Sequence, residues 1–285
     1  MKIAIITGGE TGEREVSIRS ANNVRKIVDF AETTIFTFPE DTKNFIESAK
    51  EFDLAIPVIH GIGGEDGSVQ GLFKNLHIPF IFSDISTHAI AIDKKFTKEI
   101  AASLGITSPK ETNDFPLFAK PRHGGSSVSS KFCESQKDLD ELLNTSPETD
   151  FLKEEPIRGR EFTVGIIDNG DETIPLPVVE IITNGEFFDF ENKYNPEKLA
   201  TEVCPAEIDI SLSQELQRQA LLIHTHLNTK YLSRSDFIVT PDNKIYFLEI
   251  NTIPGMTNTS LIPKMTSAAN LDLKEIFKSW CSKLI

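Results

Sequence analysis

Two segments that read as neighbouring strands carry the densest chemistry in the chain. Arg234–Thr240 and Ile245–Asn251 flank a four-residue turn, Pro241–Lys244, whose Pro, Asp and Asn are the residues that close hairpins. If Thr240 pairs with Ile245, counting back sets Asp236 opposite Glu249 and Arg234 opposite Asn251. Side chains alternate faces along a strand, so these four polar residues share one face, and Phe237, Val239, Tyr246, Leu248 and Ile250 share the core face. Two directly opposed carboxylates repel unless a cation lies between them. Oxygen donors of this kind suit Mg²⁺, which takes one or two carboxylates together with water and substrate phosphates. The hairpin therefore reads as a Mg-nucleotide site, with an Arg234-centred surface salt-bridge network as the alternative that these residues alone leave open.

Three loops offer complementary groups. Gly8-Gly9 precedes Glu13, Glu15 and Ser17 at a helix start, and Gly61–Gly64 with Gly67 surround Glu65 and Asp66. Both follow expected parallel strands at their carboxyl ends, where α/β sheets bind ligands, although a glycine loop taken alone is more often a plain turn. GGETGE lacks the G-x-G-x-x-G spacing of a dinucleotide site, and no G-K-[ST] P-loop occurs. The third loop, His123–Ser127, follows Lys120-Pro121; its glycines, hydroxyls and neighbouring lysine can wrap phosphate oxygens, or form an ordinary surface turn.

The elements that must position these groups fall into two regimes. In the first third, Lys2–Thr7, Thr33–Phe38, Leu54–Ile59 and Pro79–Phe82 read as strands separated by amphipathic helices, the rhythm of a small parallel sheet. A helix over Asp93–Leu104 ends at Gly105, a strand covers Leu117–Pro121, and Ser135 caps a helix running to Leu143. From Phe151 onward the pattern is strand-rich, with Phe151–Glu155, Glu161–Ile167 and Leu176–Ile182. One long helix follows from about Leu212 to Leu227, with Leu212, Leu216, Ile223 and Leu227 on one side.

Composition narrows the function classes. A net charge of −14 argues against nucleic-acid or anionic-membrane binding, because phosphate neutralisation needs clustered Lys and Arg. Three scattered cysteines, Cys133, Cys204 and Cys281, fit reduced thiols better than a disulfide framework or zinc site. No run approaches ~18 apolar residues and no leader pattern precedes Lys2–Ile6, so a cytoplasmic location is expected.

Taken in order, six blocks resemble the D-alanine–D-alanine ligases of the ATP-grasp superfamily: GGETGEREVS (8–17), HGIGGEDGSVQG (60–71), KP followed by GSSV (120–128), ENKY (191–194), RSDF (234–237) and LEINTIPGMTNTSLIP (248–263). The resemblance implies an α/β ATP-grasp fold: an N-terminal Rossmann-like parallel domain (1–83), then a central lobe (84–157) and a C-terminal catalytic lobe (158–285) that sandwich ATP. It implies ATP-dependent joining of two D-alanines through a D-alanyl phosphate for peptidoglycan synthesis, with Mg²⁺ as metal, Mn²⁺ as an alternative, and a homodimer.

By motif, the resemblance places Lys98, Lys120 and Lys193 on ATP phosphates and Ser127 in the loop that covers them. It puts Glu154 and the Glu155–Ile157 backbone at adenine, and Glu161 at the ribose. It names Asp236, Glu249 and Asn251 as metal ligands, the trio that the hairpin count also singles out. Glu13 and His60 would meet the first D-alanine, and Ser260 the second one's carboxylate. Arg234 and the Gly255 backbone would face the developing oxyanion, and Ser126 and Tyr194 would join Glu13 across the closed site. Departures from the family pattern are Gly124 where an acidic residue usually stands, Ser129 in place of glycine, a short Pro109–Leu117 stretch, and Glu155 at a position often held by lysine.

Overall fold

The computed structural model describes residues 1–124, 130–168, 171–182 and 200–285. Strand β1 (Lys2–Gly8) is buried from Ile3 onward, as befits an apolar run covered on both faces. It lies between β2 (Glu32–Phe38) and β3 (Leu54–Pro57) in a parallel sheet of order β2-β1-β3, with Ile5 beside Ile35 and Ile56. Helices α1 (Arg14–Ile27), α2 (Thr42–Ser48) and α3 (Ser68–Leu76) connect and cover it. Gly8 ends β1 at φ +100°, where a Cβ would lie 2.2 Å from the Phe38 carbonyl oxygen; only glycine lets the chain leave the sheet there. Phe36, Phe45 and Phe73 stack edge to face behind this sheet.

The expected fourth strand at Pro79–Phe82 does not form. Only a bridge links Ala55 to Phe80, because Pro79 has no N–H to donate and Phe82, at φ +80°, turns the chain out of the extended region. Helices α4 (Ile85–Ala91) and α5 (Lys94–Ser103) follow. A three-stranded antiparallel sheet, order β5-β4-β6, then joins β4 (Leu117–Pro121), β5 (Lys131–Cys133) and β6 (Phe151–Glu154). Ser135 caps α6 (Gln136–Thr145) in a capping box with Asp138, as its position predicted.

The largest sheet runs β10-β9-β7-β11-β12, with β8 (Thr173–Pro175) pairing with β7 (Arg160–Asp168). Strand β9 starts only at Val179 and ends at Ile182, so Leu176–Ile182 is not one strand: Pro175 and Pro177 interrupt the ladder. Strand β10 (Thr201–Val203) closes one edge, and helix α7 (Ile210–His226) buries Leu216 and Ile223 on the sheet, with Leu227 just beyond its end. At the other edge stand β11 (Leu232–Val239) and β12 (Ile245–Asn251).

Phe162, Val164, Phe237 and Phe247 pack with Leu216 and Ile223, and also with Ala91, Ala101 and Ile106 from α4, α5 and the segment after them. Helix α5 is thereby held against β12. A second core fuses Ile3, Ile5 and Ile56 of the parallel sheet to Ile262 and Met265 of α8 (Leu261–Ala268) and Phe277 and Trp280 of α9 (Leu273–Leu284). The N-terminal sheet is therefore anchored on the C-terminal part by apolar burial.

Candidate active site

The β11/β12 hairpin places Arg234 opposite Asn251 and Asp236 opposite Glu249, the two pairs that counting predicted. Nearer the turn the expected register fails: Ile245 pairs with Val239, not Thr240, and Phe247 with Phe237. A bulge between Asp236 and Phe237 leaves Leu248 as the extra residue on β12, which exchanges the faces of everything between it and the turn. Phe247, not Leu248, therefore joins Phe237 in the core, their rings 5.8 Å apart, and Tyr246 pairs with Ile238 on the opposite face.

Asp236 is tightly held. Its carboxylate accepts from Arg234 Nε at 3.0 Å and Nη2 at 2.8 Å, from Asn251 Nδ2 at 3.2 Å, and from Thr163 Oγ1 of β7 at 2.5 Å. The salt bridge offered as the alternative to a metal site thus exists, but it is not a surface network: the Arg234 and Asp236 side chains are 17% and 11% exposed. Glu249 lies 3.3 Å from Lys94 Nζ. Each of the two opposed carboxylates is accompanied by a cationic side chain, as their mutual repulsion requires. With Asn251, whose Nδ2 bonds Asp236, they offer hard oxygen donors of the kind that would suit Mg²⁺.

Lys98 of α5, Lys120 of β4 and Glu154 of β6 meet in a buried cluster. Lys98 Nζ bonds Glu154 Oε1, and Lys120 Nζ lies 3.0 Å from Oε2. Burial, together with neighbouring Lys120, pushes the Lys98 ammonium well below the usual lysine range. Burial also opposes the charge on Lys120, but Glu154 and Glu249 outweigh it and hold that lysine up. Lys94 Nζ reaches both Glu249 of β12 and the Gly124 carbonyl oxygen beyond β4, so the hairpin and the central sheet come together at this lysine. A cavity of about 610 Å³ adjoins the cluster, lined by Lys98, Leu152, Glu154, Ile106 and Ser108.

The other end of the site is built on α1 and the His60–Gly67 loop. Glu13 precedes α1, and a Cβ on Gly61 would stand 2.9 Å from its Oε2, so the carboxylate rests against bare backbone. His60 is buried, with Nδ1 2.9 Å from the Ile253 carbonyl and Nε2 3.1 Å from Ser20 Oγ. A carbonyl can only accept, so Nδ1 carries the proton and Nε2 accepts from Ser20, an assignment made from the network. Ser20 Oγ in turn accepts from the Met256 N–H. His60 is thus spent on fixing the 253–256 turn. A Cβ on Gly255 would lie 2.9 Å from Ser260 Oγ, which itself accepts from Thr257 N–H and bonds Thr257 Oγ1 at 2.7 Å.

Glu65 lies behind Glu13 and was not among the sequence-predicted ligand contacts. Its two oxygens accept from Gly61 N–H at 2.8 Å and Ile253 N–H at 3.0 Å, so one carboxyl group ties the His60–Gly67 loop to the 253–256 turn. Burial and nearby Glu13 push its carboxyl up to about 7, against the opposing pull of those two amides and Arg234. The folded protein therefore holds this proton between the ordinary 4.5 and about 7, where the unfolded chain has lost it. The stabilisation is fully present below pH 4.5 and disappears as pH rises through 7, a change of roughly 3 kcal/mol. Urea unfolding at intervals from pH 4.5 to 8 is expected to show wild type losing that much relative to Glu65→Gln. Parallel profiles would contradict it.

Of the remaining sequence-predicted residues, Glu155 exchanges hydrogen bonds with Lys110, its N–H to the carbonyl at 2.9 Å and its Oε1 to the N–H at 3.1 Å. Ile157 is half-buried in the β6–β7 connection. Glu161 pairs with Ile238 on the face that carries Thr163 and Asp236. Ser126, Ser127, Lys193 and Tyr194 lie outside the described residues. Lys94 and Thr163, which touch Glu249 and Asp236, are not among the sequence-predicted residues: a threonine within a strand carries no distinguishing pattern, and a lysine at a helix start offers only its conflict with the helix dipole.

A parallel sheet anchored to an antiparallel part, with a second antiparallel sheet whose buried lysines border a cavity and a hairpin of opposed carboxylates, is the architecture of the ATP-grasp ligases. The D-ala D-ala ligase N-terminus model matches residues 33–83 and the D-ala D-ala ligase C-terminus model matches residues 86–281. The D-alanine–D-alanine ligase of Aquifex aeolicus is 37% identical, across 97% of this chain and 98% of its own. The crystal structure of the Bacillus anthracis D-alanine–D-alanine ligase superposes with a TM-score of 0.85 at 31% identity, covering 100% of this chain and 97% of that one. The same enzyme complexed with ATP gives 0.81 at 29%, covering 98% and 95%. The chain belongs to the D-alanine–D-alanine ligase family, whose members are ADP-forming ligases.

Proposed function

We propose that this protein condenses two D-alanine molecules into D-alanyl-D-alanine for peptidoglycan synthesis, at the expense of ATP. The observation that carries the reading is Asp236 opposite Glu249, with Arg234 on Asp236 and Lys94 on Glu249, next to the Lys98–Glu154–Lys120 cluster that the same helix α5 helps to build. A carboxylate oxygen of the first D-alanine attacks the γ-phosphorus of ATP and ADP departs. The amine of the second D-alanine, having shed its proton, then attacks the acyl carbon, and phosphate leaves with the C–O electron pair.

Binding falls to groups at opposite ends of the site. Glu13 would hold the first ammonium, and the turn fixed by His60 would present the Gly255 N–H and Ser260 to the second substrate. Arg234, kept rigid by its two bonds to Asp236, would stabilise the oxyanion formed as the amine attacks. Lys98 and Lys120 exchange Glu154 for phosphate oxygens, which frees Glu154 to accept a hydrogen bond from adenine, and Glu161 meets the ribose. Asp236, Glu249 and Asn251 would hold Mg²⁺ or Mn²⁺, which supplies charge neutralisation during phosphoryl transfer. Ser126, Ser127, Lys193 and Tyr194 enter this reading through their motifs alone.

The reading extends to a cytoplasmic homodimer, divided at residues 83 and 157 into substrate, central and catalytic parts. No described helix is long and apolar enough to cross a membrane. The chemistry is tested by D-alanine labelled with ¹⁸O in its carboxylate: each phosphate released with dipeptide is expected to carry one labelled oxygen from the activated carboxylate. Unlabelled phosphate would rule out the acyl phosphate route.

A further inference from the structure

Lys94 breaks a local rule. It occupies the first position of α5, directly after the capping residue Asp93. The exposed N–H groups of a helix start make that end positive, so a lysine there is disfavoured. Its side chain is nonetheless withdrawn from water, 8% exposed, with Nζ 3.3 Å from Glu249 Oε2 and 2.5 Å from the Gly124 carbonyl oxygen. Burying a lysine against a helix dipole costs stability unless its charge is matched, and Glu249 matches it.

The surrounding bonds fix the backbone at Lys94. Its backbone N–H donates to the Arg122 carbonyl at 3.0 Å. Asp93 accepts from Arg122 Nε and Nη2 at 2.9 and 2.7 Å and from the Lys95 and Phe96 N–H groups. The pair Asp93-Lys94 thus fastens three segments: α5, which carries Lys98; the Arg122–Gly124 run beyond Lys120; and β12, which carries Glu249. Asp236 already has Arg234 as its fixed cation, and Lys94 plays the corresponding part for Glu249.

We propose that Lys94 is a positioning residue that serves as a built-in cation for Glu249, holding the carboxylate in place while the site lacks metal and competing with the divalent ion for it. The inference rests on the assignment of Glu249 as a metal ligand. It makes divalent-ion affinity in the absence of nucleotide weaker than the oxygen donors alone would give, because the incoming ion must displace an ammonium from Glu249 or share the carboxylate with it. Nucleotide phosphates offset this by bringing further negative charge, so metal and nucleotide bind best together.

The test is Mn²⁺ binding to the nucleotide-free protein, followed by electron paramagnetic resonance of the free ion. Wild type, Lys94→Met, Lys94→Arg and Glu249→Gln are compared. Lys94→Met is expected to bind Mn²⁺ at least about tenfold more tightly than wild type, since a neighbouring like charge has gone. Lys94→Arg is expected to stay near wild type, and Glu249→Gln to bind more weakly than either. The sign is decisive, because a lysine that merely held the site together would weaken metal binding when lost. Unchanged or weaker binding by Lys94→Met, with Glu249→Gln still impaired, would overturn the proposal and leave the metal assignment intact. Should Lys94→Met fold poorly, binding by Lys94→Gln at the wild-type level would overturn it equally. Wild-type affinity in Glu249→Gln would sink the metal assignment and the proposal together.

Discussion

Replacing Asp236 by alanine is expected to lower D-alanyl-D-alanine formation by at least about 10³-fold, because on the proposed assignment the change removes a metal ligand and the anchor of the oxyanion-stabilising arginine at once. Arg234, Asn251 and Thr163 all direct hydrogen bonds at this carboxylate, so its loss unties β11, β12 and β7 at a single point. Removing the carboxylate that bonds the buried Arg234 is also expected to cost about 3–5 kcal/mol of stability. Asp236→Asn separates the two effects: it keeps the shape and part of the hydrogen bonding while removing the charge. Its unfolding midpoint is expected between those of wild type and Asp236→Ala, with turnover as low as in the alanine variant. Phosphate release and urea unfolding measured on both variants check this, and turnover near the wild-type rate in Asp236→Asn would contradict the metal-ligand role.

Arg234→Met is expected to reduce kcat by about 10²–10³-fold, the loss typical of removing a preorganised oxyanion donor. Burial opposes the charge on this guanidinium, but Asp236 above all, with Glu249, outweighs it and holds its proton firmly, so it acts as a fixed charge and not as an acid. Arg234→Lys is expected to recover only a small part of the rate. A lysine restores the positive charge but cannot bond both oxygens of Asp236 through a planar fork. Steady-state kinetics on the two variants, each checked for retained nucleotide binding, give the comparison; full rescue by lysine would show that charge alone suffices and that the fork geometry is dispensable.

How much of this was legible in the sequence differs from one element to another. Counting from Thr240–Ile245 reaches the pairs Asp236–Glu249 and Arg234–Asn251, but that starting pair does not form: the turn is displaced by one residue and the bulge at Leu248 restores the register beyond it. The bulge itself adds one residue without a distinctive residue type, so alternation puts Tyr246 and Leu248 on the core face where Phe247 stands. The strand expected at Pro79–Phe82 failed for a related reason, since a short apolar run gives no warning that Phe82 will take a positive φ.

The Lys98–Glu154–Lys120 cluster joins residues of α5, β4 and β6 that no local pattern connects, and only the whole-chain resemblance brought them together. His60 was legible as a member of its motif, yet its two ring bonds show it working on the 253–256 turn from behind. Lys94 was passed over because charged residues beside a helix cap are ordinarily solvated. Its conflict with the helix dipole was the one signal available.

D-alanine ligation itself is tested by incubating the purified protein with Mg²⁺, ATP and either D-alanine or L-alanine, measuring released phosphate while chromatography separates the dipeptide. Phosphate and D-alanyl-D-alanine are expected in equal amounts, with D-alanine only, and neither product from Asp236→Ala. ATP binding without phosphate release, or phosphate released equally with both isomers and no dipeptide, would contradict the assignment.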